Sequence, residues 1–400
     1  MTMADDKEKK VLNVPALRFP EFTDEWKSVH LEDVAEFQKK RISSDLLNNN
    51  NYISTENILQ NFEGIQYSSS IPANTNVIEY QKGDILLSNI RPYLKKVWFS
   101  DRKGGCSADV FVLRGDKCDQ HFLYYVIASD RFINYVMSGV KGVKMPRGDK
   151  SQMEKYAFSI PTNTEQRKIA KFLSMLDERI KLQNKIIEKY ESLIQAMCDT
   201  LIEKETQQVT LSFSDFGQSY SGLSGKSAED FGEGYPYITY MNVYQNQIID
   251  STDIGLVKIK ETEQQSVVRY GDILFTLSSE TPEEVGMGAV YLGETYPLYL
   301  NSFCFGIHIT DKAKIYSPFL AYYVSSQSFR KAVYPLAQGS TRFNLQKSDF
   351  MKKKFSFPMI EKQRKIYSIL NTYSDKLIVE KQIMKLLCNQ KCYLLCQLFI

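Results

Sequence analysis

A long internal repeat constrains this chain of 400 residues more than any other feature. The segment EQRKIAKFLSML begins at Glu165, and the similar segment KQRKIYSILNTY begins at Lys362. A matching pair lies upstream of them, KGDILLS at 82–88 and YGDILFT at 270–276. The matching pieces keep one order while the spacing between copies varies, so loops differ in length within a common framework. A repeat this long predicts a tandem duplication of a whole domain, because solenoid repeats are much shorter.

Each copy combines a globular part with a long helix. The globular parts are rich in β-branched and aromatic residues, with frequent Gly, Asn and Ser, which is typical of short strands and tight turns. Residues 120–138 follow the helical period instead. We predict an α+β fold of two similar mixed α/β domains, separated by a pair of long, antiparallel coiled-coil helices in a pseudo-twofold internal repeat.

The helix that starts at each repeated segment carries a heptad seam. Alternate steps of four and three residues select the positions Ile169, Leu173, Leu176, Ile180, Gln183, Ile187, Tyr190, Ile194, Met197 and Leu201, then Ile366, Leu370, Tyr373, Leu377, Glu380, Met384, Leu387, Lys391, Leu394 and Leu398. A narrow seam is typical of coiled coils, whereas a helix on a globular core has a broader apolar face. We therefore predict that the two helices pack on each other; the alternative is that each packs on its own domain. Thr162 and Glu165 predict a capping box.

These patterns predict four segments. Residues 1–160 form an N-terminal segment and a first globular domain, and 161–206 form the central coiled-coil helix. Residues 207–357 form the second globular domain, and 358–400 form the distal coiled-coil helix.

Composition indicates a well-packed cytoplasmic protein. Apolar residues make up 43% of the chain, and no apolar run is long enough to span a membrane. The first ten residues carry both charge signs without a hydrophobic segment, unlike a signal peptide. We predict a cytoplasmic protein with no membrane partner.

The seven cysteines show no disulfide framework. Cys388, Cys392 and Cys396 are spaced by four residues, which places them on one side of a helix. A metal site is one interpretation, but no histidine or CxxC pair lies nearby. Burial as small apolar residues in the helix seam is the interpretation we favour.

No catalytic motif emerges from the chain. The segment GLSGKS (222–227) resembles a phosphate-binding loop, but Tyr220 replaces the first glycine that such a loop needs. The three histidines are His30, His121 and His308, too scattered to suggest a metal centre or a catalytic triad. We predict a non-catalytic protein with no cofactor and no metal of its own.

Local basic segments point to DNA, although the net charge is only +3. Basic residues interleave with aromatics over 88–103, and the basic loops 141–150 and 338–347 occupy corresponding places in the two copies. Lys and Arg neutralise phosphates, and Asn, Gln and Arg bind base edges. A solvated loop face explains any single stretch equally well, but the matching positions favour DNA. The candidate DNA-binding residues are Asn89, Arg91, Tyr93, Lys95, Lys96, Lys141, Lys144, Arg147, Lys150, Tyr220, Ser224, Lys226, Ser278, Gln338, Ser340, Thr341, Arg342, Asn344 and Lys347.

The chain resembles the specificity subunits of type I restriction–modification systems. VPALRFPEFTDEWKSVHLEDVAEF resembles their opening segment, and KGDILLSNIRPYLKKVWF, KGVKMPRGDK and GLSGKSAEDFGEGYPYITYMNV resemble their target recognition domains. IPTNTEQRKIAKFLSMLDERI and FPMIEKQRKIYSIL resemble their central and distal helices. The resemblance covers nearly the whole chain.

The resemblance implies two target recognition domains, each for one half of an asymmetric, bipartite site in double-stranded DNA. It implies that the helices set the spacing and dock two modification subunits, which use S-adenosylmethionine, while two restriction subunits use ATP and Mg. A coiled-coil scaffold that binds only protein is the alternative function, and salt-dependent binding to duplex DNA separates the two.

Overall fold

The computed structural model describes residues 13–68, 70–140, 142 and 144–400. The chain divides into two compact units. The first unit comprises the residues up to Gln183 together with Ile383–Ile400, and the second comprises Asn184–Gln382. Each unit therefore contains one globular region and part of each long helix. This division differs from the four predicted segments, whose boundaries stay a prediction.

Antiparallel sheets dominate the first unit. Its main sheet has the order β2-β9-β6-β7, a second sheet has the order β3-β5-β8-β4, and β1 pairs with β10. The strands are β1 (Lys27–His30), β2 (Ala35–Phe37), β3 (Arg41–Ser43), β4 (Tyr52–Ile53), β5 (Asn76–Tyr80), β6 (Ile85–Ser88), β7 (Val97–Phe99), β8 (Gly104–Cys106), β9 (Val110–Gly115) and β10 (Ala157–Ile160).

Short helices cover the main sheet of the first unit. They are α1 (Leu31–Val34), α2 (Gln120–Ile127), α3 (Asp130–Ser138) and α4 (Lys150–Glu154). The helical pattern predicted over 120–138 is confirmed, but it is divided because Ser129 caps a new helix by accepting from the amide of Phe132. Residues Phe122–Ile127 are all buried in the core.

The first long helix, α5 (Asn163–Glu203), begins differently from the predicted capping box. The Glu165 carboxylate is buried and accepts from the Arg18 guanidinium at 2.7 and 2.8 Å and from the Trp26 indole at 3.3 Å. A buried carboxylate needs a charged partner, and Arg18 supplies one that the local sequence pattern does not reveal.

The second unit repeats this arrangement. Its main sheet has the order β12-β19-β15-β17, β11 pairs with β22, and two three-stranded sheets have the orders β14-β13-β18 and β16-β21-β20. The strands are β11 (Gln208–Ser212), β12 (Gly217–Ser221), β13 (Phe231–Ile238), β14 (Ile254–Val257), β15 (Ile273–Thr276), β16 (Ser278–Ser279), β17 (Gly288–Val290), β18 (Tyr299–Leu300), β19 (Cys304–Ile309), β20 (Ala337–Gln338), β21 (Phe343–Leu345) and β22 (Lys354–Pro358).

The helices of the second unit follow the order of the first. They are α6 (Tyr240–Gln245), α7 (Ser317–Tyr323), α8 (Gln327–Val333) and α9 (Lys347–Lys352), followed by the second long helix, α10 (Ile360–Leu398). The predicted α+β fold with two similar domains and two long helices is confirmed.

Within each unit, the long helices pack antiparallel on each other. In the first unit, Lys391 pairs with Asp177 at 2.6 Å, and Leu173 and Leu394 share one core. In the second unit, Lys381 pairs with Glu191 at 2.8 Å and Lys362 pairs with Glu205 at 3.0 Å. The residue number falls along α10 as it rises along α5, so the two helices are antiparallel here too. Every position of the predicted seam is buried or half-buried.

The cysteine row at the end of α10 is exposed, which corrects the predicted burial. Cys388, Cys392 and Cys396 all face solvent, while Leu387 and Leu394 form the seam. A strict four-residue spacing rotates by about 40° per step around the helix, so it drifts off a seam of period 3.5. Among the described residues, no group of three His, Cys, Asp or Glu is arranged to hold a metal.

A buried glutamine makes the same contacts at the start of each long helix. Gln166 accepts from the amide of Asp119 at 2.8 Å and donates to the carbonyl of Pro161 at 2.9 Å. Gln363 accepts from the amide of Tyr316 at 2.8 Å and donates to the carbonyl of Pro358 at 2.8 Å. Each glutamine therefore joins the start of a long helix to the start of α2 or α7. No helix in the described part of the chain is long and apolar enough to cross a membrane.

Candidate nucleic-acid interface

In the first unit, the two basic stretches within 88–103 and 141–150 meet in one ribbon. The amide of Gly148 donates to the carbonyl of Asn89 at 3.0 Å, and the amide of Arg91 donates to the carbonyl of Pro146 at 2.8 Å. Ile90 and Arg147 form an antiparallel bridge between these bonds. We call residues 89–91 with 146–148 the first ribbon. The basic loop and the basic turn therefore meet at the end of β6.

The turn after the first ribbon exposes some of its basic and aromatic side chains. Pro92–Leu94 form a 3-10 turn between Arg91 and Lys95, both in the left-handed region, and Arg91 and Tyr93 are exposed. Lys95 pairs with Asp130 at 2.5 Å. Lys96 points inward, since its ammonium donates to the carbonyl of Thr55 at 2.7 Å and burial lowers its pKa.

The basic loop contributes two exposed cations to this surface. Lys144 is exposed, and Arg147 lies 3.3 Å from the Asp109 carboxylate with 55% of its side chain exposed. Lys150 is partly engaged, since it pairs with Glu154 at 3.5 Å and lies over the ring of Phe37.

Two further candidates of the first unit have special positions. Asn89 is half-buried, and its side-chain oxygen is buried without a hydrogen-bond partner among the described residues. Lys141 lies outside the described residues.

The second unit builds an equivalent ribbon with an added hairpin. Ser278 pairs with Asn344 and Ser279 with Phe343, and Gln338 pairs with Asn344 on its other side. We call residues 278–279 with 337–338 and 343–345 the second ribbon. The exposed residues of this ribbon and its connecting tip are Gln338, Ser340, Thr341, Arg342 and Asn344.

The tip of the hairpin requires a glycine. Gly339 has φ +134°, and a Cβ atom there would lie 2.1 Å from the carbonyl oxygen of Arg342. Ser278 is buried, and Lys347 is half-buried with its ammonium 3.2 Å from the hydroxyl of Ser221. The predicted residues of 338–347 are thus brought beside Ser278, but Ser278 offers its backbone rather than its side chain.

Two predicted DNA-binding residues are corrected by their burial. Tyr220 is a core residue whose hydroxyl donates to Asp272 at 2.8 Å, whose ring stacks on His308, and whose pKa is raised by burial. The Lys226 side chain is 3% exposed and pairs with Glu263. Tyr220 lies on β12, where the alternation of the strand turns its side chain to the core, whereas Lys226 lies in the following loop and is engaged by the distant Glu263.

Ser224 is exposed beside these two residues, away from the second ribbon in sequence. Its backbone amide donates to the side-chain oxygen of Gln265 at 3.1 Å, and its carbonyl accepts from the side-chain nitrogen of Gln265 at 2.9 Å. These two hydrogen bonds fix the loop backbone, and Ser224 stays exposed at the surface.

An acidic turn lies beside the second ribbon, and no sequence motif marks it. Glu280 and Glu283 are exposed on the segment that follows β16. Arg330 is half-buried beneath this turn and donates to the carbonyls of Glu283, Val285 and Gly286, each at 2.7 Å. Burial lowers the pKa of Arg330. No local sequence pattern indicates that an arginine binds the carbonyls of a distant turn.

The family model described as type I restriction modification DNA specificity domain matches the chain twice, over residues 23–192 and 211–388. The chain is 23% identical over 407 aligned positions to the type I restriction enzyme MjaVIII specificity subunit of Methanocaldococcus jannaschii, covering 94% of this chain and 92% of the relative.

Solved structures show the same fold. The S subunit of a type I restriction–modification system from M. genitalium matches with a TM-score of 0.57 at 18% identity, covering 97% of this chain and 99% of that one. A chain from a study of complex assembly and conformational transition of the type I R-M system matches with a TM-score of 0.57 at 18% identity, covering 92% and 96%.

Proposed function

Since this chain belongs to the family of type I restriction–modification DNA specificity domains and acts as a DNA sequence-specificity subunit, we propose that each ribbon reads one half of a bipartite, asymmetric site in duplex DNA. The observation that carries the proposal is that both units bring two distant segments together into a ribbon at the same place, after β6 and after β15. A two-stranded ribbon fits the major groove of B-DNA, where every base pair presents a distinct pattern of donors and acceptors.

Side chains available for such contacts surround both ribbons. The exposed candidates are Arg91, Tyr93, Lys144, Arg147, Gln338, Ser340, Thr341, Arg342 and Asn344. Lys and Arg would hold phosphates, and Arg, Asn and Gln would bind base edges. Asn89, Lys95, Lys150, Ser224 and Lys347 are secondary candidates because they are partly engaged within the protein or lie off the ribbon.

Exchange of one recognition domain tests this proposal. Residues 207–357 are replaced by the corresponding segment of a relative with a different target, and methylated adenines are mapped in cells that carry the complete system. One half-site is expected to change while the other is retained. A change in both half-sites, or duplex binding that does not weaken with salt, contradicts the proposal and favours the protein-binding scaffold.

The proposal assigns the chemistry to partner subunits. The chain itself has a non-catalytic role, two modification subunits bind S-adenosylmethionine and methylate adenine, and two restriction subunits use ATP and Mg. The relative from M. jannaschii is named as a specificity subunit, which supports a division of labour of this kind.

Exposed apolar side chains on the long helices support a docking role for each unit. In the first unit, Leu182, Leu386 and Tyr393 are exposed on α5 and α10, and in the second unit Ile378 and Val379 are exposed on α10. Apolar helix faces without a partner are typical of protein interfaces. One such face per unit suits two copies of a modification subunit.

The long helices are further proposed to set the gap between half-sites. Inserting four residues near Gln183 lengthens α5 by about 6 Å, close to two base pairs, and nearly preserves the helical phase. Inserting two residues turns the seam by about half a circle. We expect the four-residue variant to methylate the same half-sites across a wider gap and the two-residue variant to be largely inactive. An active four-residue variant that keeps the original gap contradicts this role.

A further inference from the structure

Arg147 and Asn344 occupy the same position in the two ribbons. Arg147 faces Ile90, and Asn344 faces Ser278. The residue after each donates its amide to the strand that follows the GDIL segment: Gly148 to the carbonyl of Asn89 at 3.0 Å, and Leu345 to the carbonyl of Leu277 at 2.8 Å. Two residues further on, α4 and α9 begin at Lys150 and Lys347 in the same relation. The backbone therefore presents these two side chains alike.

The two side chains differ in a way that matches base recognition. Arginine binds guanine through O6 and N7, and asparagine binds adenine through N6 and N7, each with two hydrogen bonds. Asn344 is exposed, and its carboxamide makes no hydrogen bond to another described residue. Arg147 has 55% of its side chain exposed and so retains free donors. Resting on the proposed function, we infer that Arg147 reads a guanine in the first half-site and that Asn344 reads an adenine in the second.

A carboxylate beside Arg147 prepares it for this contact. Asp109 Oδ1 lies 3.3 Å from Nη2 of Arg147, which leaves the other guanidinium donors free. An arginine held in one orientation loses less side-chain entropy when it binds a planar acceptor. Asp109 is therefore a positioning residue for guanine recognition.

The second ribbon has no such carboxylate at the corresponding place. The amide of Asn89 donates to the carbonyl of Asp109, and the amide of Leu277 donates to the carbonyl of Phe303 in the same way. Phe303 is 57% exposed. An arginine needs a restraint for its long side chain, whereas the short Asn344 is restrained by the backbone of its own strand.

Reciprocal substitution tests the inference. Full-length chain, assembled with its modification subunits, selects duplexes from a randomised library, and base preference is measured at each position for the natural protein and for Arg147→Asn and Asn344→Arg. We expect Arg147→Asn to abolish a guanine preference of about 5- to 150-fold at one position of the first half-site, with adenine favoured instead. Asn344→Arg should replace adenine by guanine at one position of the second half-site.

Two further variants sharpen the result. Asp109→Asn should keep guanine as the preferred base while reducing the preference several-fold, because it removes only the charge that orients Arg147. Lys312→Ala removes an exposed cation outside both ribbons and should leave every base preference unchanged.

The possible failures are distinguishable. A loss of affinity that is equal for all sequences means that the residue contacts phosphate, and this overturns the inference while the proposed function stands. Unchanged preferences, or a change in the half-site of the other unit, overturn it as well. If the natural protein selects no bipartite sequence, the proposed function itself fails.

Discussion

Two turns of the molecule occupy the same place in the duplicated framework but carry opposite charge. The first turn, 91–96, follows β6 and leads into β7, and the second, 279–287, follows β15 and leads into β17. Both contain a 3-10 turn that starts at a proline, Pro92 in the first and Pro282 in the second. The first turn exposes the basic Arg91, whereas the second turn exposes the acidic Glu280 and Glu283.

Different groups support the two turns. Lys95 ties the first turn to Asp130 at the start of α3, from the surface. Arg330 supports the second turn from beneath, through three carbonyl groups. Arg330 lies four residues after the capping serine of α8, and the corresponding residue of α3 is the buried Ile133. The backbone of a turn can thus be held by either route, which leaves the exposed charge free to differ between units.

The largest effect is expected from removing the support of the second turn. Arg330→Met removes the donor from the carbonyls of Glu283, Val285 and Gly286, and the two that belong to buried residues, Val285 and Gly286, cost about 1–3 kcal/mol each when left unpaired. We expect a loss of about 3 kcal/mol, allowing for partial hydration, and faster amide hydrogen exchange across 282–290. The matched control is Lys331→Met, an exposed neighbour that should change neither quantity. Unaltered exchange in the Arg330 variant would mean that the turn holds itself.

The two buried glutamines should behave alike, in contrast to the turns. Gln166→Leu leaves the amide of Asp119 without its acceptor, and Gln363→Leu does the same to the amide of Tyr316. Each substitution should destabilise its own unit by about 2 kcal/mol and expose that one amide to exchange. The exposed residues Arg167 and Lys365 provide controls as leucine variants. An effect in one unit only would show that the duplicated contact no longer has the same role in both.

The smallest effects are expected from the charges of the turns. Arg91→Gln should weaken duplex binding several-fold and lower the salt dependence by about one unit if Arg91 contacts a phosphate. The double variant Glu280→Gln, Glu283→Gln should strengthen binding by a similar factor, because it removes repulsion beside the second ribbon. Binding is measured on duplexes of fixed sequence over a range of salt. If neither variant changes the affinity for duplex DNA or its salt dependence, the turns do not lie near DNA.

The repeated framework could be predicted because its signals are local and periodic. The heptad seam needs only apolar side chains at regular spacing, and it is buried or half-buried throughout. The basic loops 141–150 and 338–347 were recognisable from their matching places in the repeat. Their pairing with 89–91 and 278–279 follows from strand order, which no local pattern specifies.

The remaining differences all depend on contacts between distant segments. Tyr220 and Lys226 carry groups suited to binding DNA, but Asp272 and Glu263 engage them inside the protein. Arginine is usually a surface cation, but Arg330 supports a turn that lies more than 40 positions away in the sequence. The cysteine row of α10 is apolar enough for a core, but its spacing turns it toward solvent.

The sequence by itself determined the duplication, the α+β class, the two long helices and the family. These features rest on periodicity and on matching segments, which survive without knowledge of any long-range contact. Only the tertiary structure decided which basic and polar side chains reach the surface of the two ribbons. Burial and pairing of a polar group depend on partners supplied by the whole fold, because a charge that is free in a loop sequence becomes structural once a distant carboxylate or carbonyl group lies against it.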